Sequence, residues 1–401
     1  MIKRHISEII GRYSKEYPIL AIVGPRQSGK TTLAKYLFPN YQYFSLENID
    51  IRQRAESDPR GFLSDCGNRV ILDEIQKVPE LFSYLQQLVD DDQTPGQYIL
   101  TGSQQFLLME KISQSLAGRI ATFHLYPFTM RELFECKPLS NPKEMLLTKE
   151  ECLIDGSVNV YNCIFTGLYP RIHDKKLTPR KWLEEYINTY VERDVRAMAN
   201  IGDLRLFETF LKLCAGRSGQ LINYAAISNA CGVSQPTVKR WLTLLEISGL
   251  IFQLKPYYKN LNKRMIKTPK LFFIDTGLLC FLLSIRSPEE LQYHPLFGNI
   301  FETFIISEIY KQFSCFGEQA PLYFWRDKTG NEIDLLIDIY PTVLPIEIKS
   351  SRTWNKDFKA GILKWFSLSK AAKKRGLVLY DGEQIVDKKG EITSLPWWRF
   401  L

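Results

Sequence analysis

The run AIVGPRQSGKTTLA, from Ala21 to Ala34, sets Gly24, Gly29, Lys30 and Thr31 at the spacing G-x-x-x-x-G-K-[ST]. It follows an apolar strand-like stretch and opens a helical pattern, the context a phosphate-binding loop requires. Glycines let backbone N–H groups wrap phosphates, and the helix start adds its positive end. Gln27, Ser28 and Thr32 belong to the same turn, Lys30 would reach the β- and γ-phosphates, and Thr31 would ligate Mg2+. A second motif, RVILDEIQ, ends an apolar strand in Asp73 and Glu74. Asp73 is placed to hold the magnesium through water and Glu74 to polarise the attacking water. Together these motifs predict an ATP or GTP site. YILTGS adds Thr101 and Ser103, read either as a γ-phosphate sensor or as turn formers. Arg119, in SLAGRIATF, is either a finger for a neighbouring subunit's nucleotide or a plain surface arginine.

Different chemistry is written near the other end, in RDKTGNEIDLLIDIYPTVLPIEIKSS (Arg326–Ser351). Glu347 and Lys349, two apart on a strand, share a face, and Asp334 joins them if IYPTVLP closes a hairpin. Upstream, Glu302 sits among Phe301, Ile305 and Ile306 at the edge of a helix's apolar face, where a carboxylate needs a partner. A metal-dependent phosphodiesterase uses oxygen ligands and a nearby cation of this kind. A lysine–carboxylate ion pair in a domain that binds DNA without cutting it accounts for the same four residues.

These groups need elements to hold them. Over the first 135 or so residues, apolar runs alternate with helical patterns, which predicts a parallel sheet flanked by helices. CKPLSNPKE (Cys136–Glu144) reads as a boundary, a helix-rich segment follows, and SIRSPEELQYHP reads as a connector into a last domain. The expected domains are 1–140, 141–203, 204–284 and 285–401.

The chain of 401 residues carries a net charge of +8. Between Ile201 and Lys270 there are 11 Lys+Arg against 3 Asp+Glu, so that stretch alone holds +8 and the rest sums to zero. A local surplus of this size suits a polyanion or a solvated face. Within it, YAAISNACGVSQPTVKRWLTLL reads as a helix-turn-helix with Gly232 in the turn and Ser234 capping the second helix. Val238, Trp241, Leu242 and Leu245 face a core, leaving Gln235, Thr237, Lys239 and Arg240 toward DNA. Two β runs follow, with a basic tip of Lys259, Lys263, Arg264 and Lys267 shaped like a wing. Winged helices also dock proteins or act as spacers.

No signal pattern is visible, and the most apolar segment, LFFIDTGLLCFLLSI, is broken by Asp275 and too short for a bilayer. Eight cysteines without CxxC or metal-like spacing read as buried thiols, pointing to a cytoplasmic protein that engages no membrane.

The set GPRQSGKTT, VILDEIQ, ILTGS and LAGRI…PFTMREL resembles a family of AAA-type ATPases of bacteria and archaea, and the resemblance covers essentially the whole chain. It implies an α/β fold: a P-loop AAA-type parallel-sheet ATPase domain, a helical lid, a winged-helix domain and a C-terminal domain like PD-(D/E)xK nucleases and restriction endonucleases. By the resemblance Lys30, Thr31, Asp73, Glu74 and Ser103 take the Walker and sensor roles and Arg119 the finger role. No second-sensor arginine matches clearly, with Arg193 and Arg196 as candidates. Glu302, Asp334, Glu347 and Lys349 resemble the nuclease signature. The resemblance also implies ATP and Mg2+, and a homo-oligomer, with a hexameric ring as one form. The function expected is a motor on duplex or branched DNA, four-way (Holliday) junctions by analogy. An ATP-gated nuclease and a protein-docking switch stand as alternatives.

Overall fold

The computed structural model describes residues 2–103, 116–139, 141–142, 158–189, 204–257, 268–369, 374–387 and 390–401. The chain divides into two compact units, Met1–Phe128 with Ile247–Leu250 and Ser314–Glu318, and Thr129–Glu246 with Ile251–Phe313 and Gln319–Leu401.

In the first unit, β1 (Ile19–Val23), β2 (Gln42–Ser45), β3 (Val70–Asp73), β4 (Tyr98–Gly102) and β5 (Ile120–His124) form a parallel sheet in the order β2-β3-β4-β1-β5. Strands β1, β3 and β4 bury every residue, which is why they read as unbroken apolar runs. Ile19, Ala21 and Val23 pack with the helices Pro59–Cys66 and Leu81–Asp91. Leu20 and Ile22 pack on the other face, with the helices Ser7–Tyr13 and Lys30–Leu37. Gly24, Asp73 and Ser103 all emerge at the carboxyl edge of this sheet, where open α/β folds place ligands.

The second unit contains one eight-stranded mixed sheet, β13-β12-β11-β10-β9-β7-β8-β6. Its strands are β6 (Gln220–Leu221), β7 (Ile251–Pro256), β8 (Lys270–Phe273), β9 (Leu322–Arg326), β10 (Glu332–Ile339), β11 (Thr342–Lys349), β12 (Gly376–Tyr380) and β13 (Ile392–Pro396). Strand β7 pairs antiparallel with β8 and parallel with β9, so hydrogen bonding runs without a break past the connector near residue 284. The spacer expected between β10 and β11 is shorter than it reads. Both strands extend to Ile339 and Thr342, leaving Tyr340 and Pro341 as the turn, because the β-branched residues on either side stay in the ladder.

The helix Tyr224–Cys231 is capped by Asn223 and ends at Gly232 with φ 69°, a conformation that favours glycine. Ser234 Oγ accepts the Thr237 N–H at 3.3 Å at the head of the helix Gln235–Ile247, whose Val238, Trp241, Leu242 and Leu245 are buried. Cysteine usage needs one correction. Cys66, Cys163, Cys214, Cys231, Cys280 and Cys315 are free thiols, but Cys136 is disulfide-bonded. A disulfide needs proximity in space, which spacing along a chain does not report. Among the described residues, no helix is long and apolar enough to cross a membrane.

Asp275 breaks its apolar run for a structural reason. Its Oδ1 caps the helix Thr276–Leu282 by accepting the Leu278 N–H at 2.9 Å, and Oδ2 accepts the Leu168 N–H at 2.7 Å. Replacing Asp275 with Ala removes the cap and orphans a buried N–H, so unfolding by urea is expected to show a loss of about 2–4 kcal/mol.

Candidate functional site

The phosphate loop is shaped by backbone. Gly24 has φ +149°, and a Cβ there would fall 2.1 Å from the Leu125 carbonyl oxygen; Gly29 has φ +94° and precedes the first turn of the helix Lys30–Leu37. Arg4 braces the loop, donating from Nη1 to the Ser28 carbonyl at 2.8 Å and from Nη2 to that of Tyr126 at 2.7 Å. Gln27 and Thr32 are exposed and Ser28 is buried, its hydroxyl without a hydrogen-bond partner among the described residues. Lys30 is buried, and its Nζ donates to the carbonyls of Gly24 at 3.1 Å and Pro25 at 2.9 Å. Burial pushes this ammonium down to about 8, against the pull of Glu74 and Asp73.

Asp73 gathers three hydroxyls: Thr31 at 2.9 Å and Thr101 on Oδ1, and Tyr43 at 2.7 Å on Oδ2. Glu74 stands at φ 56°, ψ 44°, a left-handed conformation that non-glycine residues rarely adopt outside functional sites. Its Oε2 accepts the Ser103 hydroxyl at 2.9 Å and a short bond from Gln76 Nε2. The expected Lys30, Thr31, Asp73, Glu74 and Ser103 therefore converge. Sequence reasoning missed Arg4, Tyr43 and Gln76. Gln76 was findable two places after Glu74, whereas Tyr43, on a neighbouring strand, left no signal.

These residues fit a magnesium nucleotide. A glycine cradle too tight for a Cβ, a partnerless buried hydroxyl and a cation held only by carbonyls suit phosphate oxygens, while Thr31 and Asp73 offer adjacent oxygens for the metal. Arg119 is elsewhere. It precedes β5, whose first residue pairs with Ile19 at the amino end of β1, and it is held bidentate by Asp90 at 2.5 and 3.0 Å.

A second constellation lines a cavity of about 760 Å³ in the C-terminal unit. Glu302, Asp334, Glu347 and Lys349 all face it, with Lys270, Arg326 and Glu332 added. A register shift between Ile333 and Leu336 in the β9–β10 ladder falls at Asp334, as bulges do where a side chain is re-aimed. The carboxylates close on lysines. Lys349 Nζ lies 2.6 Å from Glu347 and 3.3 Å from Asp334, and the buried Lys270 Nζ lies 2.9 Å from Glu302 and 2.5 Å from Glu332. Both ammonium groups are held above the usual lysine range: burial works against the charge, and the acids outweigh it. Burial, with Asp334 beside them, pushes Glu302 up to about 7 and Glu347 up to about 9. No group of three acidic, histidine or cysteine side chains among the described residues surrounds a common metal position. The four expected residues meet, but as an ion-paired network. Lys270 and Glu332 were missed. Glu332 was legible, two residues before Asp334 and on its face.

On the helix Gln235–Ile247, Gln235, Lys239 and Arg240 are exposed and Thr237 is half-buried against Ser234. Lys259, Lys263, Arg264 and Lys267, with Arg193 and Arg196, lie outside the described residues.

Residues 16–134 match the family described as "AAA domain", which takes in both nucleotide motifs. The N-terminal unit is an AAA-type P-loop ATPase. Residues 158–289 and 297–400 of this ATPase match two domains of unknown function, DUF8612 and DUF4143. The chain is 28% identical over 340 residues to the uncharacterised protein Rv2008c of Mycobacterium tuberculosis, covering 84% of this chain and 71% of that one. It is 24% identical to MJ1637 of Methanocaldococcus jannaschii, covering 100% and 88%. Among solved structures, the Walker-type ATPase PABY2304 of Pyrococcus abyssi aligns at a TM-score of 0.45 and 16% identity, covering 70% of this chain and 96% of that one. The RuvB Holliday junction branch migration motor of Thermotoga maritima aligns at 0.27 and 17%, covering 63% and 90%.

Lys30 loses its proton near pH 8 in the empty site and binds phosphate only when charged. ATP affinity is therefore expected to fall as pH rises above 8, approaching tenfold per unit; calorimetric titration at pH 7, 8 and 9 measures it. Lys270→Met leaves Glu302 and Glu332 uncompensated, a loss of about 3–5 kcal/mol at pH 8. Lys270 holds Glu302 down, so in its absence the carboxyl takes up a proton above the value of about 7 that it has in the intact network, and the deficit should be smaller at pH 7 than at pH 9 in thermal melts.

Proposed function

We propose that this ATPase couples ATP hydrolysis to work on DNA, duplex or branched, through a winged helix formed by residues 204–284. The observation that carries the reading is a local one. The charge surplus of the chain lies wholly within Ile201–Lys270, and the described part of that stretch presents Gln235, Lys239 and Arg240 at the exposed start of a second helix. Residues 1–140 act as the motor, 141–203 as its lid and 285–401 as a nuclease-like domain. In the motor, Lys30 and the loop backbone bind the β- and γ-phosphates, with Gly24, Gln27, Ser28, Gly29 and Thr32 shaping the turn. Thr31 and Asp73 hold magnesium, which when bound neutralises charge on the phosphoryl oxygens. Glu74, aimed by Ser103 and Gln76, takes the proton of the attacking water.

Arg119 stands at the amino edge of the sheet while its own phosphate loop stands at the carboxyl edge, so its reading as a finger requires a second subunit. A homo-oligomer, ring-like in form, satisfies that requirement once Asp90 releases it. The lysine-paired state of the C-terminal cavity counts against a metal-held cutting site there, because its carboxylates are already engaged.

ATP turnover measured with linear duplex and with a four-way junction tests the reading. DNA should raise the rate, and Glu74→Gln should abolish turnover while leaving ATP binding intact. If Lys239 and Arg240 contact phosphates, replacing both with Ala lowers the log–log salt slope of duplex binding by about 1.8. A turnover rate blind to both DNAs, with no retardation on a gel, would replace this reading with a protein-docking switch.

A further inference from the structure

A second crevice, of about 540 Å³, opens in the same unit as the ion-paired cavity. It is assembled at the carboxyl ends of three adjacent parallel strands. Arg352 and Trp354 follow β11, Asp381 follows β12 directly, and Trp397 and Trp398 follow β13 directly. Ligands of open sheets gather at such ends.

Asp381 forms its floor, with a side chain only 8% exposed. Oδ1 accepts the indole N–H of Trp397 at 3.3 Å. Oδ2 accepts no hydrogen bond among the described residues, and the Nε of the largely exposed Arg352 stands 3.9 Å away. A buried carboxylate oxygen in that state calls for N–H donors. The walls are aromatic, and the Trp354 indole is fixed by a 3.0 Å bond from its Nε1 to Ser394 Oγ. A cationic guest would compete with Arg352, which already stands at the carboxylate. Lys359, itself paired with Asp387, lies 5.6 Å from the Trp354 ring centroid and Arg399 4.8 Å from that of Trp398, so each indole already has a cation over one face. A flat neutral ring carrying a phosphate suits all of them, since bases stack on indoles and arginines pair with phosphates.

We propose that this crevice binds one unpaired nucleobase of a nucleic acid, and that Asp381 selects guanine by accepting the adjacent N–H donors of its Watson–Crick edge. Adenine and cytosine offer a carboxylate only an amino group on that edge, beside ring nitrogens that repel it. This shares with the DNA reading only the class of partner. A mononucleotide tests it without a duplex, so either can fail alone.

The probe is guanosine monophosphate, titrated into the full chain with ADP and Mg2+ filling the phosphate loop and followed by tryptophan fluorescence. Saturable quenching is expected, with adenosine and cytidine monophosphates about tenfold weaker or worse. Asp381→Asn keeps the acceptor for Trp397 and should lower guanosine monophosphate affinity about tenfold or more. Should that variant melt early, 1-methylguanosine monophosphate asks the same of the unaltered chain, because the methyl removes one donor. Equal binding of the methylated and plain nucleotides would overturn the proposal, as would no preference among bases or no binding at all. Arginine amide binding where guanosine monophosphate does not would make the crevice a cation site and sink the base reading.

Discussion

Lys270 is a buried ammonium, and its need for carboxylates organises the C-terminal unit. A charge of that kind is tolerated in a protein interior only when it is paired. It leaves β8 to meet Glu302 on the helix Phe297–Cys315 and Glu332 on β10. Strands β8 and β10 are not neighbours, since β7 and β9 lie between them. The ion pairs therefore clamp the same stretch of sheet that the short parallel contact of β7 with β9 joins by backbone, at Lys255–Tyr323 and Pro256–Phe324. A ladder of that length needs such reinforcement.

The lysines of the two sites are in different chemical states, and the difference separates the sites. Lys30 is solvated by backbone carbonyls, its ammonium is lowered toward neutrality, and a polyphosphate improves its surroundings. Lys270 and Lys349 each sit between carboxylates and are held charged. An anion entering the first site relieves an under-compensated cation, whereas a metal ion entering the second must displace cations already in place. Electrostatics thus favours ligand at the nucleotide site and opposes a divalent ion in the cavity, though both sites present carboxylates and a lysine.

How much of this could be read in advance depended on how local each feature is. The phosphate loop and the acidic strand end are contiguous motifs whose backbone context repeats in the sequence, so Lys30, Thr31, Asp73 and Glu74 were legible by spacing. Glu347 and Lys349 were legible by strand period, and Asp334 by the hairpin. Lys270 was not, because a lysine inside a basic stretch reads as surface charge until the sheet brings Glu302 beneath it. Tyr43 and Arg4 were hidden for a related reason: each acts from an element whose pattern reports only burial. Cys136 was misread because bonding between cysteines is decided by the fold.

The same burial bears on the basic stretch from which the nucleic-acid reading starts. Counted along the chain, Lys270 is one of its eleven cations, but with its ammonium between Glu302 and Glu332 it presents no charge to an outside polyanion. Lys239 lies 5.4 Å from the Tyr224 ring centroid yet remains exposed, as does Arg240. Charge summed over sequence overstates what a surface offers, and the correction has a direction. Removing Lys270 from the count leaves a smaller surplus, which the described residues spread over Arg205, Lys212, Arg217, Lys239, Arg240 and Lys255. The contacts proposed for Lys239 and Arg240 would therefore serve less to attract a duplex than to orient it, because phosphate contacts fix the register of the backbone they touch.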